Sequence, residues 1–447
     1  MLMNSDPRDT LNASRMSVLQ MAAVAITVGL NALDGFDVLA ISFASPGIAS
    51  EWGIDRKALG FVLSMELIGM GLGSVLLGGV ADKIGRRRTL LGCLIVMSVG
   101  MVMATRSQSV YDLSVWRVFT GLGIGGMLAA INAVAAEFSN TRRRGLNVSI
   151  MAIGYPLGAV IGGGIASVLL KQGNWRAVFE FGAAATASFI PLVYFFVPES
   201  ISWLCQRQPA GALATVNRSL VRMGQQPVAQ LPSLSSEVRR RSVADIFSPQ
   251  LIRVTVPVTL AYFLHVTTFY FMLKWVPKIV VDLGFSPAAA AGVLVWANVG
   301  GAAGGVVLGL LSLRFGLKNL TMLVLVLSTF MVGVFGRSHA GLAQLSLVCA
   351  CTGFFTNAGI VGLYGILAQV FPTHVRATGT GFAVGIGRAG SVLAPIIAGY
   401  LFQFGYGLGF VASAMGVWSL VAAGAVWLVP FKSEVVESIE TEAAAAL

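Results

Sequence analysis

The chain has 447 residues, of which 56% are hydrophobic and only 11% charged, against roughly a quarter charged in an average soluble domain. A water-soluble fold cannot bury that much apolar surface and still cover itself with polar groups, so a soluble enzyme or binding module is excluded. The formal net charge of +11 invites a nucleic-acid partner, but Lys and Arg gathered on one side of a membrane explain it better, and no nucleic acid is expected.

Apolar runs near the ~20 residues that cross a bilayer as helix recur along the chain. They are too long to be strands of a membrane barrel. A polar stretch with Arg8 and Arg15 precedes the first run, and no small-residue cleavage site follows that run. It reads as a retained helix, not a signal peptide. Six spans are expected at roughly 19–42, 58–81, 89–106, 113–138, 148–170 and 176–197. A polar stretch, 198–250, follows and carries Arg239, Arg240 and Arg241. Six more spans are expected at roughly 252–276, 288–313, 319–337, 341–370, 378–403 and 407–430. The expected architecture is an all-α membrane protein with 12 transmembrane helices in two six-helix bundles, residues 1–197 and 251–447, joined by the linker loop 198–250. Lys83, Arg86–Arg88, Arg142–Arg144 and the linker hold the excess of cations. The positive-inside rule puts them, and both termini, in the cytoplasm of a bacterial-type inner membrane.

The two halves echo each other. Gly78-Gly79-Val80-Ala81-Asp82-Lys83-Ile84-Gly85-Arg86-Arg87 aligns at an offset of 231 with Gly309-Leu310-Leu311-Ser312-Leu313-Arg314-Phe315-Gly316-Leu317-Lys318. Glu137…Arg144-Gly145 is echoed by Gln369…Arg376-Ala377 at 232. Parallel repeats joined by a linker describe a transporter with its substrate site between the halves.

These residues carry a resemblance. The Gly78–Arg88 loop, its degenerate second copy, and Arg117-x-x-x-Gly121-x-x-x-Gly125 make the chain similar to major facilitator superfamily transporters over nearly its whole length. Asp34-Gly35-Phe36-Asp37 resembles the paired-aspartate signature of the aromatic acid:proton symporters within it. Pro198-Glu199-Ser200, Pro372-Thr373…Arg376-Ala377-Thr378-Gly379 and Gly385-Ile386-Gly387-Arg388-x-Gly390 agree, and are shared with sugar porters and organic-ion transporters. The resemblance implies a symporter that takes up an aromatic acid, such as a hydroxybenzoate, with protons. Muconate or another aliphatic carboxylate, a sugar, and proton-independent anion exchange stay open. It also implies that Gly78, Asp82, Gly85, Arg86, Glu137 and Arg144 form a network closing the cytoplasmic side, and charge alone supports that reading.

Ionisable side chains at bilayer depth cost several kcal/mol and need a partner or a purpose. Asp34 and Asp37, three apart on one helix face, repel each other, and a proton relieves that repulsion. They are the first proton-coupling candidates. Arg117 keeps its charge and is expected to pair with Asp37 or Asp34. Glu66 is either a further proton site or the partner of Arg388. Arg388, flanked by glycines, has a fork suited to a carboxylate and is the first substrate-binding candidate. His265 aligns with Asp34 at offset 231; it is either a hydrogen-bonded core residue or a ligand. Tyr270, beside Phe269, Phe271 and Trp275, offers stacking; Asn298 and Tyr364 offer polar contacts.

Cys93, Cys205, Cys349 and Cys351 show no pairing or metal-ligand spacing and read as packing residues. Gly121-Leu122-Gly123-Ile124-Gly125-Gly126 mimics a dinucleotide fingerprint but follows no strand, so helix packing is its reading. With no phosphate loop and no cofactor or metal site expected, an ion gradient is the available energy source. No nucleophile–base set suggests an enzyme, and no appended output domain suggests a receptor. The expected partners are a small organic anion, protons and the lipid bilayer, with the chain working as a monomer.

Overall fold

A computed structural model describes residues 6–232, 243–249, 251–338, 341–372 and 375–430. Arg239–Arg241 and Thr373 lie outside the described residues. After a short α1 (Pro7–Ala13), six long helices follow: α2 (Val18–Trp52), α3 (Arg56–Ile84), α4 (Arg86–Arg106), α5 (Val110–Glu137), α6 (Arg144–Leu169) and α7 (Arg176–Phe196). The linker contains α8 (Ile201–Arg207) and α9 (Ala212–Arg222). Six long helices close the series: α10 (Ile252–Asp282), α11 (Pro287–Leu311), α12 (Leu317–Arg337), α13 (Leu342–Val370), α14 (Arg376–Gln403) and α15 (Leu408–Trp427). Among the described residues, twelve helices are long and apolar enough to cross a membrane. Their faces carry exposed Val75, Ile161, Val306, Phe330 and Leu347, side chains that suit hydrocarbon and would be a liability in water.

Two helices run further than hydropathy predicts. α2 continues past residue 42 through Pro46 to Trp52, because Phe43, Ala44 and Ile48 are buried there and packing overrides the local Ser-Pro-Gly signal. α10 likewise continues past residue 276 through Pro277, whose neighbours Val276 and Val280 are buried. The linker, expected as a loop, is partly helical. The Ser200 hydroxyl accepts from the Trp203 amide to start α8, and Asn217 of α9 exchanges two hydrogen bonds with the backbone of Val228, at 3.0 and 2.9 Å.

The described residues divide into two units. One takes 6–52 and 65–232; the other takes 53–64, the first turns of α3 included, and the residues from 243 onward. Inside each unit the same close crossings occur. In unit 1, a Cβ on Gly158 of α6 would overlap the Ala32 carbonyl of α2; in unit 2, one on Gly390 of α14 would meet the Phe263 carbonyl of α10 at 2.5 Å. Ala32 and Phe263 are 231 residues apart, Gly158 and Gly390 are 232. The α3–α5 crossing is built the same way, with Gly69 and Gly73 against the Val118 and Leu122 carbonyls and Gly121 and Gly125 against those of Glu66 and Met70. Its counterpart puts Gly300 and Gly304 of α11 against Ala350 and Phe354 of α13, and Gly353 against Ala297. Absent side chains let these backbones approach, which is how helices associate where lipid removes the hydrophobic drive.

Candidate functional site

The α2 signature is held from both sides. Gly35 lies against the Tyr155 carbonyl of α6, where any Cβ would overlap it. Phe36 packs over Gly162 and edge-on to Phe181, with centroids 5.2 Å apart. Asp34 and Asp37 are buried, at 2% and 0% exposure. Neither carboxylate oxygen of Asp37 has a hydrogen-bond partner among the described residues; the Thr186 hydroxyl of α7 lies beside it without completing one. The charges acting on Asp37 are Glu66, Arg117 and Asp34.

Arg117, on α5, forms an ion pair with Glu66, on α3, and both side chains are fully buried. The same Nη2 donates to the Asp37 backbone carbonyl at 3.0 Å, Nη1 contacts the Met101 sulfur at 3.3 Å, and the guanidinium stacks 5.2 Å from the Phe179 ring centre. One arginine thereby ties together α2, α3, α4, α5 and α7. This corrects two expectations. The carboxylate partner of Arg117 is Glu66, neither Asp34 nor Asp37, because the glycine-lined α3–α5 crossing brings these two positions together. Glu66 therefore has its counter-charge inside its own unit. At the repeat offsets of 231 and 232, unit 2 carries Ala297 and Cys349 where unit 1 has Glu66 and Arg117, so this charged tie has no second copy.

In unit 2, His265 is fully buried on α10. Its Nε2 faces the Thr356 carbonyl and its Nδ1 the Ser419 hydroxyl, each at 2.8 Å. A carbonyl only accepts, so Nε2 carries the proton and Nδ1 accepts from Ser419. Both nitrogens are in use, which makes His265 a core residue and leaves none for a ligand. The Tyr262 hydroxyl donates to that of Tyr364, at 2.9 Å, and Tyr364 is 45% exposed. Tyr270 stands edge-on to Phe269. Asn298 donates to Leu294 of its own helix at 2.9 Å. Arg388, half-buried on α14, has a guanidinium that makes no ion pair among the described residues. Lys274 of α10 is fully buried. The aromatic residues around it draw the eye, and sequence reading passed over it; the criterion applied to every other charge in a span would have found it.

At the end of unit 1 rich in arginine, Gly85 turns the chain with φ of 105°, open to glycine and strained for other residues. Arg86 is paired with Asp82 at 2.9 Å and with Glu137 at 3.4 Å. The Asp82 carbonyl accepts from Trp203 Nε1 and Arg207 Nε, both at 3.0 Å. Arg144 donates to the Ala136 carbonyl and to Asn12 of the N-terminal segment, at 3.2 and 2.5 Å. Gly78 has only ordinary contact with Ala129. Glu199 is the residue whose job the sequence concealed: its Oε1 accepts from the backbone amides of Arg86 and Arg87, at 2.7 and 3.2 Å, capping α4.

The Major Facilitator Superfamily profile matches residues 27–335 and again 258–446. The chain is 27% identical to a gallate transporter of Pseudomonas putida, with 94% of each chain covered. It is 26% identical to a benzoate transport protein of Acinetobacter baylyi, over 88% of this chain and 85% of that one. A 4-hydroxybenzoate transporter of Pseudomonas aeruginosa is 27% identical over 95% of both. Among solved structures, a D-xylose–proton symporter superposes with a TM-score of 0.70 at 18% identity, covering 93% of this chain and 98% of that one, a likeness of fold alone. The chain belongs to the major facilitator superfamily and is a multi-pass membrane transporter, not an enzyme.

Proposed function

We propose that this protein imports an aromatic monocarboxylate together with protons by alternating access, as a monomer in a bacterial-type inner membrane with both termini cytoplasmic. The observation that carries the reading is the Asp37 carboxylate, buried completely with neither oxygen hydrogen-bonded among the described residues. A buried acid left without donors calls for an explanation beyond packing, and a proton that comes and goes supplies one. Asp34 shares its helix face, and the Glu66–Arg117 pair fixes the surroundings of both. The choice of cargo rests on relatives named for gallate, benzoate and 4-hydroxybenzoate across most of their length. Arg388 receives the carboxylate, with Tyr270, Tyr364 and Asn298 offered to the ring and its substituents. Asp82, Arg86, Glu137 and Arg144, arranged around Gly78 and Gly85, close the cytoplasmic side and reopen it in each cycle.

The test is uptake of radiolabelled benzoate, 4-hydroxybenzoate, gallate, muconate and xylose by cells expressing the chain, with and without a protonophore. Uptake of an aromatic acid that the protonophore abolishes, and that Asp37→Asn loses, is expected. Protonophore-resistant exchange, or a preference for xylose, would overturn the reading.

A further inference from the structure

Among the described residues, six charged side chains lie more than five residues inside a membrane-length helix. The acids are Asp34, Asp37 and Glu66; the bases are Arg117, Lys274 and Arg388. They are equal in number and unequally placed. Unit 1 holds all three acids and one of the bases, Arg117, which pairs with Glu66. Unit 2 holds Lys274 and Arg388 and no acid at that depth. Between residues 251 and 430 its one carboxylate is Asp282, at the C-terminal end of α10, where Lys278 and Arg56 engage it. The charge buried in the membrane therefore sums to zero only when both aspartates are ionised and Lys274 is counted.

Uncompensated charge at bilayer depth is what a membrane protein can least sustain. A monocarboxylate entering this protein adds one negative charge. One proton on one aspartate restores the sum; two would leave the loaded protein positive. We propose that each monocarboxylate crosses with a single proton, so that loaded and empty protein bear the same buried charge, and that Lys274 is the positive charge that completes the zero sum of the empty protein. The inference rests on the proton-coupled reading above and deepens it: the cycle carries no net charge across the membrane, and uptake responds to a pH gradient but not to voltage. Lys274 acts as a charge-balancing residue and need not touch the cargo.

Purified full-length protein in liposomes tests this, with the acid that the whole-cell assay identifies among benzoate, 4-hydroxybenzoate and gallate, each a monocarboxylate. Protein-free vesicles give the passive background. With voltage clamped by valinomycin and equal potassium, accumulation is expected to rise about tenfold per pH unit. An inside-negative potential of 100 mV without a pH gradient is expected to change it less than twofold, where a second proton would give about fiftyfold. Strong voltage-driven accumulation alongside a pH response would overturn the single-proton inference while leaving proton coupling standing. Indifference to the pH gradient would overturn both. In Lys274→Gln one positive charge is gone and a proton retained on an aspartate replaces it; losing a cation favours the protonated acids, so its uptake profile is expected to move at least one pH unit higher, while Lys274→Arg is expected to keep the parental profile. A Lys274→Gln protein that transports more slowly with an unmoved profile would show Lys274 to be merely structural.

Discussion

Arg117 and Glu66 form an ion pair with no solvent exposure on either side, and the guanidinium nitrogen that makes it also donates to the backbone of Asp37. The pair thus connects the α3–α5 crossing to the helix that carries both aspartates. Removing one member strands the other's charge, a loss of about 3–5 kcal/mol for a buried pair. Arg117→Met and Glu66→Gln are each expected to destabilise by that order, and the double variant by clearly less than their sum. Thermal unfolding in detergent measures the cycle. Additive losses would mean that the two charges do not depend on each other.

The helix crossing beneath the aspartates makes a sharper demand on size. Gly158 abuts the Ala32 carbonyl and Gly35 the Tyr155 carbonyl, so one methyl at either place must push α2 and α6 apart. Gly35→Ala and Gly158→Ala are each expected to cost about 1–3 kcal/mol, as overpacking does, and to slow uptake by displacing Asp34 and Asp37. Gly71 has nothing within 4 Å of its hypothetical Cβ. Gly71→Ala is therefore the control, expected to be neutral or to stabilise by up to about 1 kcal/mol. Equal effects at all three positions would show that the crossing does not set the limit.

Hydropathy and loop charge made the twelve spans legible, because the bilayer imposes a length and a polarity that each helix must meet alone. Asp34, Asp37, Glu66, Arg117 and Arg388 were legible for the same reason: charge inside such a span is conspicuous. Pairing was not. Which carboxylate faces Arg117 depends on glycines of two helices meeting at one crossing, a relation that a linear pattern holds only in halves, at Gly69 and Gly73 and at Gly121 and Gly125. His265 shows the converse. Its alignment with Asp34 suggested chemistry, yet Ser419 and the Thr356 carbonyl, distant in sequence, occupy its ring.

Glu199 gives a test of capping. It serves the amides of Arg86 and Arg87 from 113 and 112 residues away, and its Oε2 crowds the place where a Cβ on Gly85 would stand. Glu199→Ala is expected to lose about 1–2 kcal/mol, the usual range for a lost helix cap, and Glu199→Gln less, since the amide oxygen still accepts. Gly85→Ala combines a strained φ with that collision and is expected to be worse than either. If Gly85→Ala is as stable as the parent, the turn is not held as described.

Asp82 separates structure from turnover. Its side chain is 64% exposed and pairs with Arg86, so losing the charge is expected to cost at most about 1 kcal/mol. The bonds from Trp203 and Arg207 go to its carbonyl oxygen and survive in Asp82→Asn. Arg86, only 12% exposed in its side chain, would still have Glu137. A residue that merely decorated a solvated turn would leave transport as it was. One that must make and break its pair each cycle would leave binding intact and slow the cycle. The expectation for Asp82→Asn is a melting temperature near the parent's, unchanged substrate affinity, and an uptake rate reduced tenfold or more. Equal rates in variant and parent would reduce the Asp82–Arg86 contact to a surface ion pair and remove it from the gate.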